Sequence, residues 1–137
     1  MENAKALLIS GGYTCVLRKG EQVYTSCRRG VAPLLAHLDA GTDLQGFSAA
    51  DKVVGKAAAF LYCLLGVKEV WAGVISRPAL EVLQAKGILV QYESLVSAIV
   101  NRTGDGFCPM ETATLHISDP EEAVQAVRNT LQKLQQA

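Results

Sequence analysis

Polar and apolar residues alternate in two early stretches of the chain. Tyr13, Cys15 and Leu17 interleave with Thr14, Val16 and Arg18, and Val23, Thr25 and Cys27 interleave with Gln22, Tyr24 and Ser26. A period of two predicts two strands, and Lys19-Gly20 between them predicts a hairpin. Placing Cys15 and Leu17 on one face with Val23 and Thr25 requires an odd-length connection. A three-residue loop with Gly20 in the left-handed conformation would provide it. Before the hairpin, residues 2–10 predict a short helix ended by Gly11-Gly12. After it, Gly30 introduces a helix with Pro33 in its first turn and Leu34, Leu35 and Leu38 on it, stopping at Gly41. Residues 42–47 read as a loop.

The strongest helical signal begins at Ser48. Ser48 with Asp51 three residues on has the spacing of an acidic capping box, and from Val53 to Val67 the one charged residue is Lys56. A helix apolar nearly all round is expected to lie buried between layers, with Gly55 and Ala59 allowing a neighbouring backbone to come close. The run Val70 to Ile75 is continuously apolar, as a strand covered on both faces requires. Ser76 then caps a helix with Pro78 in its first turn, Gly87 ends it, and Ile88 to Tyr92 form the next strand, which should run parallel to the previous one. Leu95 to Val100 predict a short helical turn, and Thr112 to Ile117 fit a helix or a strand equally well. Asp119-Pro120-Glu121-Glu122 starts a final helix, with Val124, Val127, Leu131 and Leu134 as its buried stripe. The whole predicts one domain, residues 1–137, of three-layer α/β/α class with a mixed sheet, an N-terminal hairpin and parallel strands.

Composition narrows the function classes. In 137 residues, thirteen Lys and Arg balance thirteen Asp and Glu, so no basic excess points to nucleic acid. Charged residues make up 19% against a usual ~25%, which predicts that part of the surface is covered by another copy in a homo-oligomer. The longest uncharged apolar run, Ala57 to Val67, is well short of the ~20 residues that cross a bilayer. The start of the chain does not read as a secretory signal, so a cytoplasmic protein with reduced thiols and no membrane partner is expected.

Two stretches stand out: Ser48-Ala-Ala-Asp-Lys-Val-Val-Gly-Lys-Ala-Ala-Ala and Asn101-Arg-Thr-Gly-Asp-Gly-Phe-Cys-Pro-Met-Glu111. With the order of elements, they make the chain resemble a bacterial family of small proteins that is known as a domain of unknown function. That resemblance spans nearly the whole chain and implies a cytidine-deaminase-like fold, without implying an activity. A zinc deaminase needs His/Cys-x-Glu at the start of its first core helix and Pro-Cys-x-x-Cys at the start of the second. The matching frames here read Lys56-Ala57-Ala58 and Pro78-Ala79-Leu80-Glu81, and His37 and His116 lie elsewhere. No metal site and no cofactor are therefore expected, which leaves the sheet edge where helix N-termini meet strand carboxyl ends.

At that edge the expected ligand-binding residues are Asp51, Lys52, Lys56, Arg77, Asn101, Arg102, Thr103, Gly104, Asp105, Gly106 and Glu111. Within the apolar helix Lys56 could be desolvated and form Schiff bases, could clamp an anion near a cleft, or could simply extend to solvent, with Lys52 one helical turn before it. Asp51 reads as a cap more readily than as a base. The Gly104-Asp105-Gly106 stretch could cradle a polar ligand in a nest or form an ordinary surface turn. Cys108 before Pro109 would sit at a helix start, where free N–H groups favour a thiolate nucleophile, or would pack inward at a turn. The leading reading is a protein that binds a small anionic or nucleotide-like molecule. A metal-independent enzyme with Cys108 as catalytic nucleophile is the first alternative, and a structural or regulatory oligomerisation domain the second.

Overall fold

The structure is a computed structural model, and it describes residues 2–28, 30–99 and 109–136. Helix α1 (Glu2–Gly11) precedes a hairpin of β1 (Cys15–Lys19) and β2 (Gln22–Ser26). Then come α2 (Ala32–Ala40), β3 (Ser48–Val54), α3 (Lys56–Leu65), β4 (Glu69–Ser76), α4 (Arg77–Ala85) and β5 (Leu89–Val96). After the segment outside the described residues, α5 (Pro109–Thr114) and α6 (Pro120–Gln136) follow. The strands form one mixed sheet in the order β2-β1-β3-β4-β5. β1 is antiparallel to β2 and β3, while β3, β4 and β5 are parallel.

Among the described residues helix α1 is the one helix on one face, packing Ala4 and Leu8 on Val16, Ala50 and Trp71. The other face carries the main core, where Leu17, Ala49 and Ala72 meet Leu34 of α2, Leu61 and Tyr62 of α3, Leu83 of α4 and Val127 of α6. The three layers expected from the hydrophobic pattern are present. So are the predicted ends of α2 at Gly41, which closes it in the left-handed conformation, and of α4 at Ser76, whose hydroxyl accepts from the Ala79 amide at 3.2 Å.

Three expectations are corrected. Ser48 does not start a helix: residues 48–54 form β3, paired on both sides, and the helix starts at Lys56. Ala, Asp and Lys have little strand preference, but Ala49 and Ala50 are fully buried between the two helical layers, and burial decides the matter. Ser48 instead donates its hydroxyl to Glu69 Oε2 at 2.8 Å. Second, the hairpin loop has two residues, Gly20 and Glu21, so Cys15 lies opposite Ser26 and Leu17 opposite Tyr24. Gly20 is left-handed, with φ of 61°, but Val23 and Thr25 share the face of Val16 and Arg18. Third, Leu95 and Val96 continue β5 rather than starting a turn.

The parallel strands share an irregularity. Pairing of β3 with β4 runs from Ser48–Glu69 to Asp51–Ala72 and resumes at Val53–Val74. Pairing of β4 with β5 likewise passes over Gly73 and Glu93. Before this row Ala49 and Ala72 face the main core; after it Val54 and Ile75 do. The inward residues on either side are an odd number apart, so the alternation of faces breaks at this row in neighbouring strands together, with the register unshifted. Gly73 has no room for a side chain there, since a Cβ would lie 2.7 Å from the Lys52 carbonyl oxygen.

Candidate functional site

The carboxyl ends of β3 and β4 lead directly into α3 and α4, so two helix N-termini open at one place on the sheet edge. Glu111, from the first turn of α5, fills that place and is buried. Its Oε1 accepts from the Lys56 amide at 2.5 Å and from the Ser76 hydroxyl at 3.4 Å, and its Oε2 accepts from the Ile99 amide at 3.2 Å. A carboxylate suits this position, because the first amides of a helix have no partner within it and carry the positive end of its dipole. Gly55 makes the approach possible: a Cβ on it would lie 2.8 Å from Glu111 Oε1. Ser76 therefore serves two groups, as cap of α4 and as donor to Glu111.

Of the expected site residues, Lys56, Arg77 and Glu111 are brought to this edge. Lys56 is the first residue of α3; its ammonium donates to the Leu115 carbonyl oxygen at 2.9 Å and stands 5.7 Å from the centre of the Phe60 ring. It ties the end of α5 to α3 instead of standing desolvated in mid-helix. Arg77 is exposed at the first position of α4. Asp51 and Lys52 are not at the edge, since both lie inside β3; Lys52 is exposed, and Asp51 turns toward α3. Asn101, Arg102, Thr103, Gly104, Asp105, Gly106 and Cys108 lie outside the described residues.

Sequence reading missed a second polar cluster, within the core. Tyr62 donates to Asp51 Oδ2 at 2.7 Å, Cys15 Sγ lies 3.5 Å from Tyr62 Oη, and the Val53 amide donates to Asp51 Oδ1 at 3.3 Å. Burial raises the Asp51 carboxyl to about 7, against the lowering effect of its hydrogen bonds to Tyr62 and the backbone. Burial also pushes the Cys15 thiol and the Tyr62 phenol far up, and the neighbouring Asp51 adds to both shifts. The local signal was the apolar setting of Asp51, but it can be recognised only once residues 48–54 are placed in a strand. Burial lifts the Cys63 thiol to about 11, so it is no ready nucleophile. His37 fits a structural role: its Nδ1 lies 3.2 Å from Thr42 Oγ1, its ring meets Tyr24 edge-on, and burial lowers its pKa.

Among the described residues no group of three or more His, Cys, Asp and Glu could hold a metal ion. The helix starts that would carry zinc ligands present Lys56-Ala57-Ala58 and Pro78-Ala79 instead, so the donor set for zinc-dependent deamination does not fit here. Among the described residues no helix is long and apolar enough to cross a membrane.

Fold and edge together define a mixed-sheet α/β domain whose two helix N-termini converge on an internal carboxylate. The chain belongs to the DUF1893 family, a domain of unknown function whose model matches residues 3–131. It is similar to the crystal structure of a DUF1893 family protein from Thermotoga maritima, with a TM-score of 0.87 and 26% identity over 93% of this chain and 87% of that one. A diaminohydroxyphosphoribosylaminopyrimidine deaminase/5-amino-6-(5-phosphoribosylamino)uracil reductase from Thermotoga maritima matches at a TM-score of 0.44 and 18% identity, over 67% of this chain and 34% of that one. No curated protein matches the chain.

Proposed function

We propose that this chain is a small-molecule-binding protein, on a deaminase-like scaffold without zinc ligands, and that its ligand seats at the carboxyl edge of β3 and β4. The observation that carries this reading is the buried Glu111 carboxylate held between the N-termini of α3 and α4. Open α/β sheets bind ligands outside the carboxyl ends of their strands. Among the described residues Glu111 Oε2 accepts from the Ile99 amide alone, and a carboxylate oxygen has a second lone pair for a ligand N–H or O–H. Arg77, next in sequence to Ser76 and exposed, supplies a cation for a negatively charged part of the same ligand. A molecule with hydrogen-bond donors at one end and an anionic group at the other is nucleotide-like in this sense.

The test is thermal shift and calorimetry against a panel of nucleosides and nucleoside monophosphates, with native mass spectrometry for any retained molecule. A monophosphate that binds more tightly than its nucleoside, and loses that advantage in Arg77→Met, supports the reading. Glu111→Gln should weaken both forms. Equal binding to Glu111→Gln and the unaltered protein, or no shift across the panel and no retained molecule, overturns it.

A further inference from the structure

We infer that the groove between α3 and α4 binds a small carboxylate with an aromatic or branched aliphatic body. The two helices return from the parallel strands β3 and β4 and pack side by side. Between them, against the chain that leads from α5 to α6, lies a cavity of about 260 Å³. Neither Glu111 nor Arg77 lines it, so it is distinct from the edge described above.

Helical spacing builds the walls. On α4, Pro78, Val82 and Ala85 recur at intervals of one turn and face the cavity, while Ala79 and Leu83 are turned into the core. On α3, Lys56 and Phe60 stand one turn apart, with Phe60 buried. Ile117 completes the apolar lining. Sites for small molecules have this composition, mostly apolar with a few polar groups that fix orientation. An apolar cavity of about 150 Å³ holds benzene, so this one has room for a ring or branched chain with one polar substituent.

Charge selects the substituent. Two lysines, Lys56 and Lys86, and one carboxylate, Glu81, belong to the walls. The Lys56 ammonium is engaged by the Leu115 carbonyl oxygen at 2.9 Å. The Lys86 ammonium has no hydrogen bond or ion pair among the described residues. Its charge opposes the effect of burial at the Cys63 thiol on α3, and Cys63 Sγ lies 4.0 Å from the Val82 carbonyl oxygen. Lys86 therefore stands within electrostatic reach of both helices, and a molecule with its body on Phe60 and Val82 can offer it an anionic end. A carboxylate suits the site better than a phosphate ester. One free lysine balances one negative charge, a phosphate carries close to two, and Glu81 repels the excess.

A titration of the full chain tests this by calorimetry and amide chemical shifts. The probes are phenylacetate and isovalerate, with phenylacetamide as the neutral counterpart of the first. Phenylacetate should bind with a dissociation constant of about 1 mM or tighter, as expected for a ligand of about ten heavy atoms, and should shift the amides of Val82, Ala85 and Ile117. Phenylacetamide should bind about five-fold more weakly, the difference a partly exposed ion pair makes. Lys86→Met should bring phenylacetate down to the level of the amide. Ala85→Phe, at an exposed position, should fill the groove and abolish binding of both while leaving the melting temperature unchanged. No saturable binding of either carboxylate, equal affinity for phenylacetate and phenylacetamide, shifts confined to residues outside these walls, or binding that survives Ala85→Phe each overturns the inference. A failed nucleotide panel at the Glu111 edge would leave these outcomes unaffected.

Discussion

Glu111 and Asp51 are two carboxylates taken largely out of water in one small domain, and their surroundings differ in kind. Glu111 sits where the backbone itself supplies positive charge, accepting from the amides of Lys56 and Ile99 and from the Ser76 hydroxyl. Asp51 lies within a sheet, where strand dipoles largely cancel, and its partners are a phenol and the amide two residues on. Burial therefore prevails at Asp51 and lifts its carboxyl to about 7. A carboxylate at helix starts holds separate elements together, whereas one within a sheet is tolerated near neutral pH in part by holding its proton.

The sharpest way to break this contrast is Glu111→Ala. It removes the shared acceptor of two backbone amides and one hydroxyl, drawn from β4, α3 and the residues after β5. A buried donor left without a partner costs about 1–3 kcal/mol. We expect a loss of about 3 kcal/mol in urea unfolding, since three donors share this one group. A loss below about 1 kcal/mol would show that water replaces the carboxylate without difficulty, and Glu111 would then be a surface group in practice.

Asp51→Asn tests the other side of the comparison through pH. The folded value of about 7 lies above the ordinary value of 3.8 for an aspartate in the unfolded chain. The unfolded chain therefore releases this proton first as pH rises. Stability from Asp51 is complete below about pH 4, falls between about 4 and 7, and stays low above that. Replacement by Asn, whose oxygen can accept from the Val53 amide while its NH2 donates to the Tyr62 oxygen, should flatten this part of the profile and raise the melting temperature at pH 8 relative to the unaltered protein. Parallel profiles for the two proteins across pH 4–8 would refute the buried-proton reading. The groups facing Asp51 are Tyr62 and, beyond it, Cys15, and both stay protonated throughout this range because their pKa values are raised.

What could be read from the sequence depended on whether its signal was local. The Ser76 cap, Pro33 and Gly41 act within one turn of themselves, and α2 and α4 lie where these residues place them. Residues 48–54 carry a local cap pattern, Ser48-Ala-Ala-Asp, that predicts a helix, while their strand character comes from neighbours on both sides and helical layers above and below. Lys56, Arg77 and Glu111 come together at one sheet edge, but Lys56 arrives there as the first residue of α3 and not from within a helix that starts at Ser48. The details escaped for physical reasons. The contact between Glu111 and the Lys56 amide spans 55 residues, and the glycine it needs, Gly55, looked like part of a helix. The pairing of Asp51 with Tyr62 depends on the strand facing α3, and the break in face alternation at Lys52, Gly73 and Glu93 becomes visible only in the register of three strands.

The smallest effect expected is at Lys56, and it sharpens the comparison by asking how Glu111 is kept in place. The Lys56 ammonium donates to the carbonyl oxygen of Leu115, just beyond the end of α5, while the Lys56 amide donates to Glu111 near the start of that helix. One residue thus holds α5 at both ends. Lys56→Met keeps the amide and most of the aliphatic stem and removes the ammonium. Because the lost bond is exposed, the stability cost should be about 0.5–1 kcal/mol. The more telling readout is amide exchange in α5, which should quicken in Lys56→Met and recover in Lys56→Arg. Ligand affinity should fall only modestly, through looser placement of Glu111. A large loss of affinity with unchanged exchange in α5 would instead mean that the ammonium contacts the ligand itself. The pairing with Leu115 would then be a resting position that the ligand displaces.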